Sequence, residues 1–293
     1  MPINIYNIMI QQMLNYVSFT KPGISRAQLL TVSIGYFLAI QSIDVTLSFL
    51  YLLLATYFFS ASACGANNIL EVKLDALMGR TKDRELVVNK LSLFEARAIV
   101  VATFLVGLFF VLQINLLTLL VSLATVVIYV GVYTPLKRYS WLNTHVGALP
   151  GALPLLGGWV ATGTPIHTVV VAFFFTLFCW QIPHFYALSI MYFDDYKAAG
   201  FKMLPNQEGG VAATKRQIIV FSFLMVATSF VPFLMRFLSG VYAVGMLMIS
   251  LIFLWVMTQS VRDLKNNAKK LFILSIIYLP LWFTFIIVDI LLH

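Results

Sequence analysis

The stretch Asn67-Asn68-Ile69-Leu70-Glu71-Val72-Lys73-Leu74-Asp75-Ala76-Leu77-Met78-Gly79-Arg80-Thr81-Lys82-Asp83-Arg84 closes an almost uncharged run that begins at Ala27. Glu71, Asp75 and Asp83 stand there beside Lys73, Arg80, Lys82 and Arg84, in a chain of which only 10% is charged. As a single helix, residues 27–70 would be about 66 Å long, roughly twice the hydrocarbon thickness of a bilayer. The run therefore folds back, and Gln41-Ser42-Ile43-Asp44 is the expected turn. Asn67, Glu71 and Asp75 are spaced by four, so a continued helix projects all three oxygen-bearing side chains from one face. A face of this kind suits a hard divalent cation.

Outward from this stretch, the chain of 293 residues is 61% hydrophobic and carries 25 phenylalanines, which excludes an ordinary soluble domain. An all-α polytopic membrane protein is expected. Spans at 27–41 and 47–68 are followed by apolar runs at 96–112, 116–133, 146–162, 167–190, 217–234, 240–258 and 271–291, nine in all. With that count, every one of the 19 lysines and arginines except Arg236 falls on one side. The positive-inside rule makes that side cytoplasmic, with the N-terminus inside and the C-terminus outside. The acidic residues divide the same way apart from Asp44 and Asp289, for which solvation at span ends is the expected role.

Membrane topology also accounts for the formal charge of +8, so nucleic-acid binding is not expected. Cys64 and Cys179 lie inside apolar runs, where packing is expected and a disulfide or loop-borne zinc site is not. No removable signal peptide is read in the first 25 residues. Ile5, Ile8, Met9 and Met13 fit one face of an interfacial helix ending at Thr20-Lys21-Pro22-Gly23. The chain is expected to form one membrane domain over 1–293, with 1–25 cytoplasmic and the loops 71–95 and 191–216 capping a site.

A second polar cluster runs from Trp180-Gln181-Ile182-Pro183-His184-Phe185 to Asp194-Asp195-Tyr196-Lys197. A continued helix would place His184, Met191 and Asp195 on one face. Both clusters close a span and precede basic residues, a hint of an internal repeat. Salt-bridged loops are one reading of this pattern. The sharper reading is a diphosphate site, in which carboxylates hold Mg²⁺, the metal takes phosphate oxygens, and arginine and lysine neutralise the rest. A lipidic diphosphate at the membrane rim would lay its chain between apolar helices.

The first cluster, read from Asn67 to Asp75, resembles the aspartate-rich motif of the UbiA superfamily of intramembrane aromatic prenyltransferases. The resemblance continues through Arg80-Thr81-Lys82, Arg84, Tyr133-Thr134-Pro135-Leu136-Lys137-Arg138, Gly147-Ala148-Leu149-Pro150-Gly151-Ala152-Leu153-Pro154, Trp180 to Phe185, and Met203-Leu204-Pro205. It covers nearly the whole chain and is most specific to the branch that farnesylates heme. It implies a helical bundle with a central cavity opening near the cytoplasmic face, in a bacterial-type inner membrane. The implied reaction is Mg²⁺-assisted ionisation of farnesyl diphosphate, addition of the allylic cation to a vinyl group of heme B, and capture by water to give heme O.

By position, Asn67, Glu71, Asp75 and Asp195 are expected to hold Mg²⁺, with Asn68 orienting them. Arg80, Lys82, Arg84, Lys137 and Lys197 are expected on the diphosphate, and His184 on the heme. Asp75, Asp195, Arg84 and Lys137 are expected to carry the catalysis. Lys90, Lys215, Lys265 and Lys269 read as topology charges. Two departures stand out: Glu71 occupies a usual aspartate position, and Glu85 a usual proline position. The Gly-Ala-Leu-Pro repeat reads as a close-packed, broken helix. Membrane lipid is the expected surrounding, and a heme-modifying enzyme or terminal oxidase is a conceivable partner. Other readings are a prenyltransferase for a quinone-type acceptor and, from another class, a transporter with charges along its path.

Overall fold

The computed structural model describes residues 5–293, which form helices and connecting loops with no strand among them. In chain order the helices are α1 (Ile5–Phe19), α2 (Pro22–Ile40), α3 (Leu47–Asp75), α4 (Leu93–Val111), α5 (Leu116–Leu136), α6 (Asn143–Ala161), α7 (Thr168–Met191), a short α8 (Phe193–Ala198), α9 (Gly210–Leu234), α10 (Gly240–Arg262) and α11 (Leu264–Leu292). Eight of these are long and apolar enough to cross a membrane. The ninth expected span corresponds to α6, whose glycines, prolines and polar first turn lower its hydropathy and which is almost wholly enclosed by protein.

The expected turn after span one is present. Gln41 ends α2 in the left-handed region (φ 50°), and the Thr46 side chain caps α3 by accepting from Phe49 N at 3.1 Å. The Ser92–Glu95 capping box starts α4, and Asn115 starts α5 by accepting from Thr118 N at 2.8 Å. For α1, the Gln12 and Tyr16 side chains reach Glu95 at the head of α4. Met9 and Met13 are exposed, as an interfacial face requires. The Ile5 and Ile8 side chains lie outside the described residues.

The largest apolar core joins α2, α6, α7, α9, α10 and α11 around Leu155, Phe173, Tyr186, Met225, Tyr242 and Trp282. Two of its polar side chains are matched in series: Trp282 Nε1 donates to Tyr242 Oη at 3.0 Å, and Tyr242 Oη donates to Ser229 O at 2.7 Å. Large side chains such as Leu105, Phe109 and Trp255 face outward, as a hydrocarbon surrounding demands. Helices α2 and α6 cross in close contact. A Cβ at Gly35 would strike Leu155 O, and one at Gly158 would strike Val32 O, so glycine on both helices is what lets the backbones meet.

Three expectations are corrected. The repeat at 147–154 is close-packed but unbroken, and α6 stays helical through Pro150 and Pro154. Asp289 is not solvated. It is 3% exposed and accepts from Ser239 N, Ser239 Oγ and Tyr242 N, capping the start of α10. His184 and Asp195 do not share a helix face, because α7 ends at Met191 and Tyr192 (φ −113°, ψ 34°) turns the chain before α8.

Candidate active site

Helix α3 continues without interruption to Asp75, so the spacing of four does bring Asn67, Glu71 and Asp75 onto one face. All three are buried, with Glu71 4% and Asp75 1% exposed. A buried carboxylate is costly without a partner, and each has one: Lys137 Nζ lies 2.5 Å from Glu71 Oε1, and Arg84 Nη1 lies 2.5 Å from Asp75 Oδ2. Asn67 links the row by donating to Glu71 Oε2 at 2.9 Å and to Thr134 Oγ1 at 3.1 Å. The extra methylene of Glu71, compared with the aspartate expected there, sets its carboxylate directly against Lys137. Glu85 makes no side-chain hydrogen bond or ion pair among the described residues, and nothing in the structure explains it.

Lys137 ends α5 and is held by its own backbone, since Lys137 O accepts from Lys202 N at 2.7 Å. Its ammonium also faces the rings of Tyr133, at 4.9 Å, and Phe201, at 5.3 Å. Just before it, residues 128–133 form a π-helical turn, a widening that commonly marks functional sites. Tyr129 and Tyr133 come from this turn and line the site.

The loop after α3 is tied across the site. Asp195 Oδ1 accepts from Gly79 N at 3.0 Å and Asp195 Oδ2 from Arg80 N at 3.1 Å, while Thr81 Oγ1 donates to Asp75 O at 2.9 Å. Arg80 stacks over the Tyr192 ring at 4.6 Å and donates to Tyr196 Oη at 3.2 Å. Burial raises the Tyr196 phenol above its usual range, which keeps it neutral beside that guanidinium.

These groups line a cavity of ≈180 Å³ that holds Lys21, Arg80, Arg84 and Lys137 against Glu71 and Asp75. A second cavity of ≈400 Å³ lies beside it, walled chiefly by apolar and small side chains of α2, α3, α5, α6 and α7. Ile24, Tyr129, Tyr133 and Phe185 line both. The structure therefore brings together Asn67, Glu71, Asp75, Arg80, Arg84 and Lys137 as expected. Lys82 and Lys197 are exposed and line neither cavity. Asp195 also lines neither, because both its oxygens point at the loop amides. Asn68 turns aside to donate to Phe19 O at 2.9 Å, with its Oδ1 buried and without a partner among the described residues.

Lys21 is a site residue that sequence reasoning treated as a topology charge. Its backbone is left-handed (φ 53°), an uncommon state for lysine, and its Nζ donates to Asn67 Oδ1 at 2.9 Å. Burial, reinforced by the Arg84 guanidinium, pulls its ammonium down to about 8. The signal in the sequence was its place before Pro22, which fixes the chain direction at the head of α2.

His184 lines the apolar cavity, stacked between Trp180 and Phe272 at 5.1 and 4.8 Å. Its Nδ1 lies 2.8 Å from Ser275 Oγ, and Ser275 Oγ itself donates to Phe272 O at 2.6 Å. With Ser275 donating to Phe272 O, Nδ1 would be the donor to Ser275 and Nε2 would keep the lone pair that a metal-ligating imidazole needs.

The donor set also fits Mg²⁺. No group of three or more His, Cys, Asp or Glu residues comes together among the described residues, but Mg²⁺ is typically held by one or two carboxylates, waters and substrate phosphates. Asn67, Glu71 and Asp75 supply hard oxygens, and Asp75 Oδ1 is buried with no hydrogen-bond partner among the described residues.

Comparison with known proteins places these features. Residues 28–285 match the UbiA prenyltransferase family. The chain is 33% identical to a protein of Solibacter usitatus named protoheme IX farnesyltransferase, over 94% of this chain and 99% of that one. A Flavobacterium psychrophilum protein of the same name is 31% identical, over 91% of each chain. The fold is similar to that of a UbiA homolog from Aeropyrum pernix (TM-score 0.75, 22% identity, 89% of this chain and 97% of that one). It is also similar to a UbiA homolog from Archaeoglobus fulgidus solved with GPP and Mg²⁺ (TM-score 0.72, 20% identity, 93% and 99%).

Proposed function

We propose, for a chain that belongs to the UbiA prenyltransferase family, that it transfers a farnesyl group from farnesyl diphosphate to a vinyl group of heme B, with addition of water, to give heme O. The observation that carries this reading is the pairing of a small charged cavity with a larger apolar one across Tyr129 and Tyr133. A prenyl diphosphate has that division: a trianionic head and a hydrocarbon tail. The acceptor is taken from the relatives named protoheme IX farnesyltransferase, and His184 supports it by lining the apolar cavity.

Asn67, Glu71 and Asp75 are the residues that would hold Mg²⁺. When bound, the metal supplies Lewis-acid stabilisation of the leaving diphosphate. Arg80, Arg84, Lys137 and Lys21 neutralise that diphosphate, which is the largest contribution the protein makes to breaking the allylic C–O bond. In the structure Lys137 and Arg84 are paired with Glu71 and Asp75, so the site keeps its buried charges satisfied before substrate arrives. Asp195 is assigned to anchoring the loop at Gly79 and Arg80 rather than to the metal, and Lys82 and Lys197 to the solvated rim. The tyrosine pair and the apolar wall keep water from the allylic cation until the carbon–carbon bond forms. His184 Nε2 is the atom assigned to the heme.

In this reading α6 completes nine spans, the charged cavity faces the cytoplasm, and the loops around Asp195 and Arg80 cap it. The test is product formation: purified protein in lipid with Mg²⁺, heme B and farnesyl diphosphate yields a product with the mass of heme O. Binding of both substrates without product overturns the proposal.

A further inference from the structure

Gln181 belongs to the Trp-Gln-Ile-Pro-His segment but is used neither by the metal set nor by the heme contact. It is 4% exposed, sits on α7 one turn before His184, and lines the apolar cavity. Its side-chain nitrogen donates to Ala148 O at 2.9 Å and to Leu177 O at 3.2 Å, which uses both N–H bonds. Turning the carboxamide over would set its oxygen against two carbonyl oxygens, so the orientation is decided by the network. Oε1 is thereby locked as an acceptor that receives no hydrogen bond from the described residues. It rests against Gly151, where any Cβ would collide with it. A rigid, unsatisfied acceptor on an apolar wall is costly unless a ligand or water meets it.

We infer that Gln181 Oε1 seats the water that ends the prenylation; the inference rests on the heme-farnesylating reading above. Bond formation between C1 of the farnesyl group and the vinyl terminus leaves a cation on the vinyl carbon attached to the ring. Water attack there forms a C–O bond, and the proton shed passes to the diphosphate released in the same turnover. Without a seated water, the cation closes by losing a proton from the adjacent carbon, giving an alkene lighter than heme O by one water. A water remains in an apolar cavity only where polar groups fix it. Oε1 takes one of its O–H bonds and leaves an oxygen lone pair for the cation.

The experiment reads product masses from purified protein in lipid with heme B, farnesyl diphosphate and Mg²⁺. Gln181→Met keeps the volume and removes the acceptor. It is expected to lower the ratio of hydrated to dehydrated product by about tenfold, the effect of one neutral hydrogen bond, while farnesylated heme still forms. If Gln181→Met does not fold, Gly151→Ala displaces the carboxamide without removing any polar group, and the same shift is expected. An unchanged product ratio in the folded variant overturns the inference. So does loss of all farnesylated product with heme binding intact, because that places Gln181 in carbon–carbon bond formation. Absence of farnesylated heme from the unmodified protein overturns instead the function on which it rests.

Discussion

The charged and apolar cavities share a wall but are built by opposite rules. In the smaller one, every carboxylate is buried against a cation, and the four cations come from three separate places: Lys21 before α2, Arg80 and Arg84 after α3, and Lys137 at the end of α5. In the larger one, glycines and prolines of α6 make room, and the polar groups turn their protons back into the helices, as Thr31 does to Ala27 O and Thr125 to Val121 O. The difference separates two tasks. In the proposed reaction, departing negative charge would be held where cations converge, while the carbon cation would form where no anion can trap it. Tyr129 and Tyr133 stand at the boundary because a π turn, rather than a regular helix, presents them there.

The largest expected effect comes from removing the charge that anchors the small cavity. Asp75→Asn, or chelation of Mg²⁺, should lower kcat/KM for farnesyl diphosphate by roughly 10³-fold or more while heme titration is unchanged. Near-normal turnover in Asp75→Asn would break the division. Next in size, Lys137→Met leaves Glu71 buried and unpaired, and should cost about 3 kcal/mol or more of stability in thermal or denaturant unfolding. Adding Glu71→Gln should restore stability but not activity, which separates folding from chemistry.

On the apolar side, His184→Ala should alter the absorption spectrum of bound heme and weaken heme binding by about tenfold, with farnesyl diphosphate binding unchanged. An unaltered spectrum removes Nε2 as an iron contact. The smallest effects sharpen the boundary from outside. Lys82→Ala and Lys197→Ala should each change diphosphate use by about twofold or less, as exposed charges do. Lys21→Ala should exceed both, and a reversal of that order would mean that the rim, rather than the cavity, binds the anion.

The membrane class, most helix positions and the oxygen row on α3 were legible because hydropathy and a spacing of four are local properties of a chain. The turn at Gln41 and the close packing at Gly147–Pro154 belong with them. Less legible was anything that depends on how a loop returns. Lys82 and Arg80 are two residues apart, yet one is solvated and the other is stacked on Tyr192. Asp195 looked like a ligand by its spacing from His184, and a single break at Tyr192 sent it to the loop amides instead. Asp289, by position a solvated span end, was claimed by the start of α10.

By itself, then, the sequence determined a helical membrane protein with Asn67, Glu71 and Asp75 on one face, since burial of apolar residues and helix periodicity act along the chain. Only the tertiary structure decided which cations meet that face, which hydroxyl His184 Nδ1 meets and where the Gln181 oxygen points. Those depend on partners far apart in sequence: Lys21 with Asn67, Lys137 with Glu71, Ser275 with His184 and Ala148 with Gln181. Each pair forms because a polar group taken from water is stable only where another element supplies its complement.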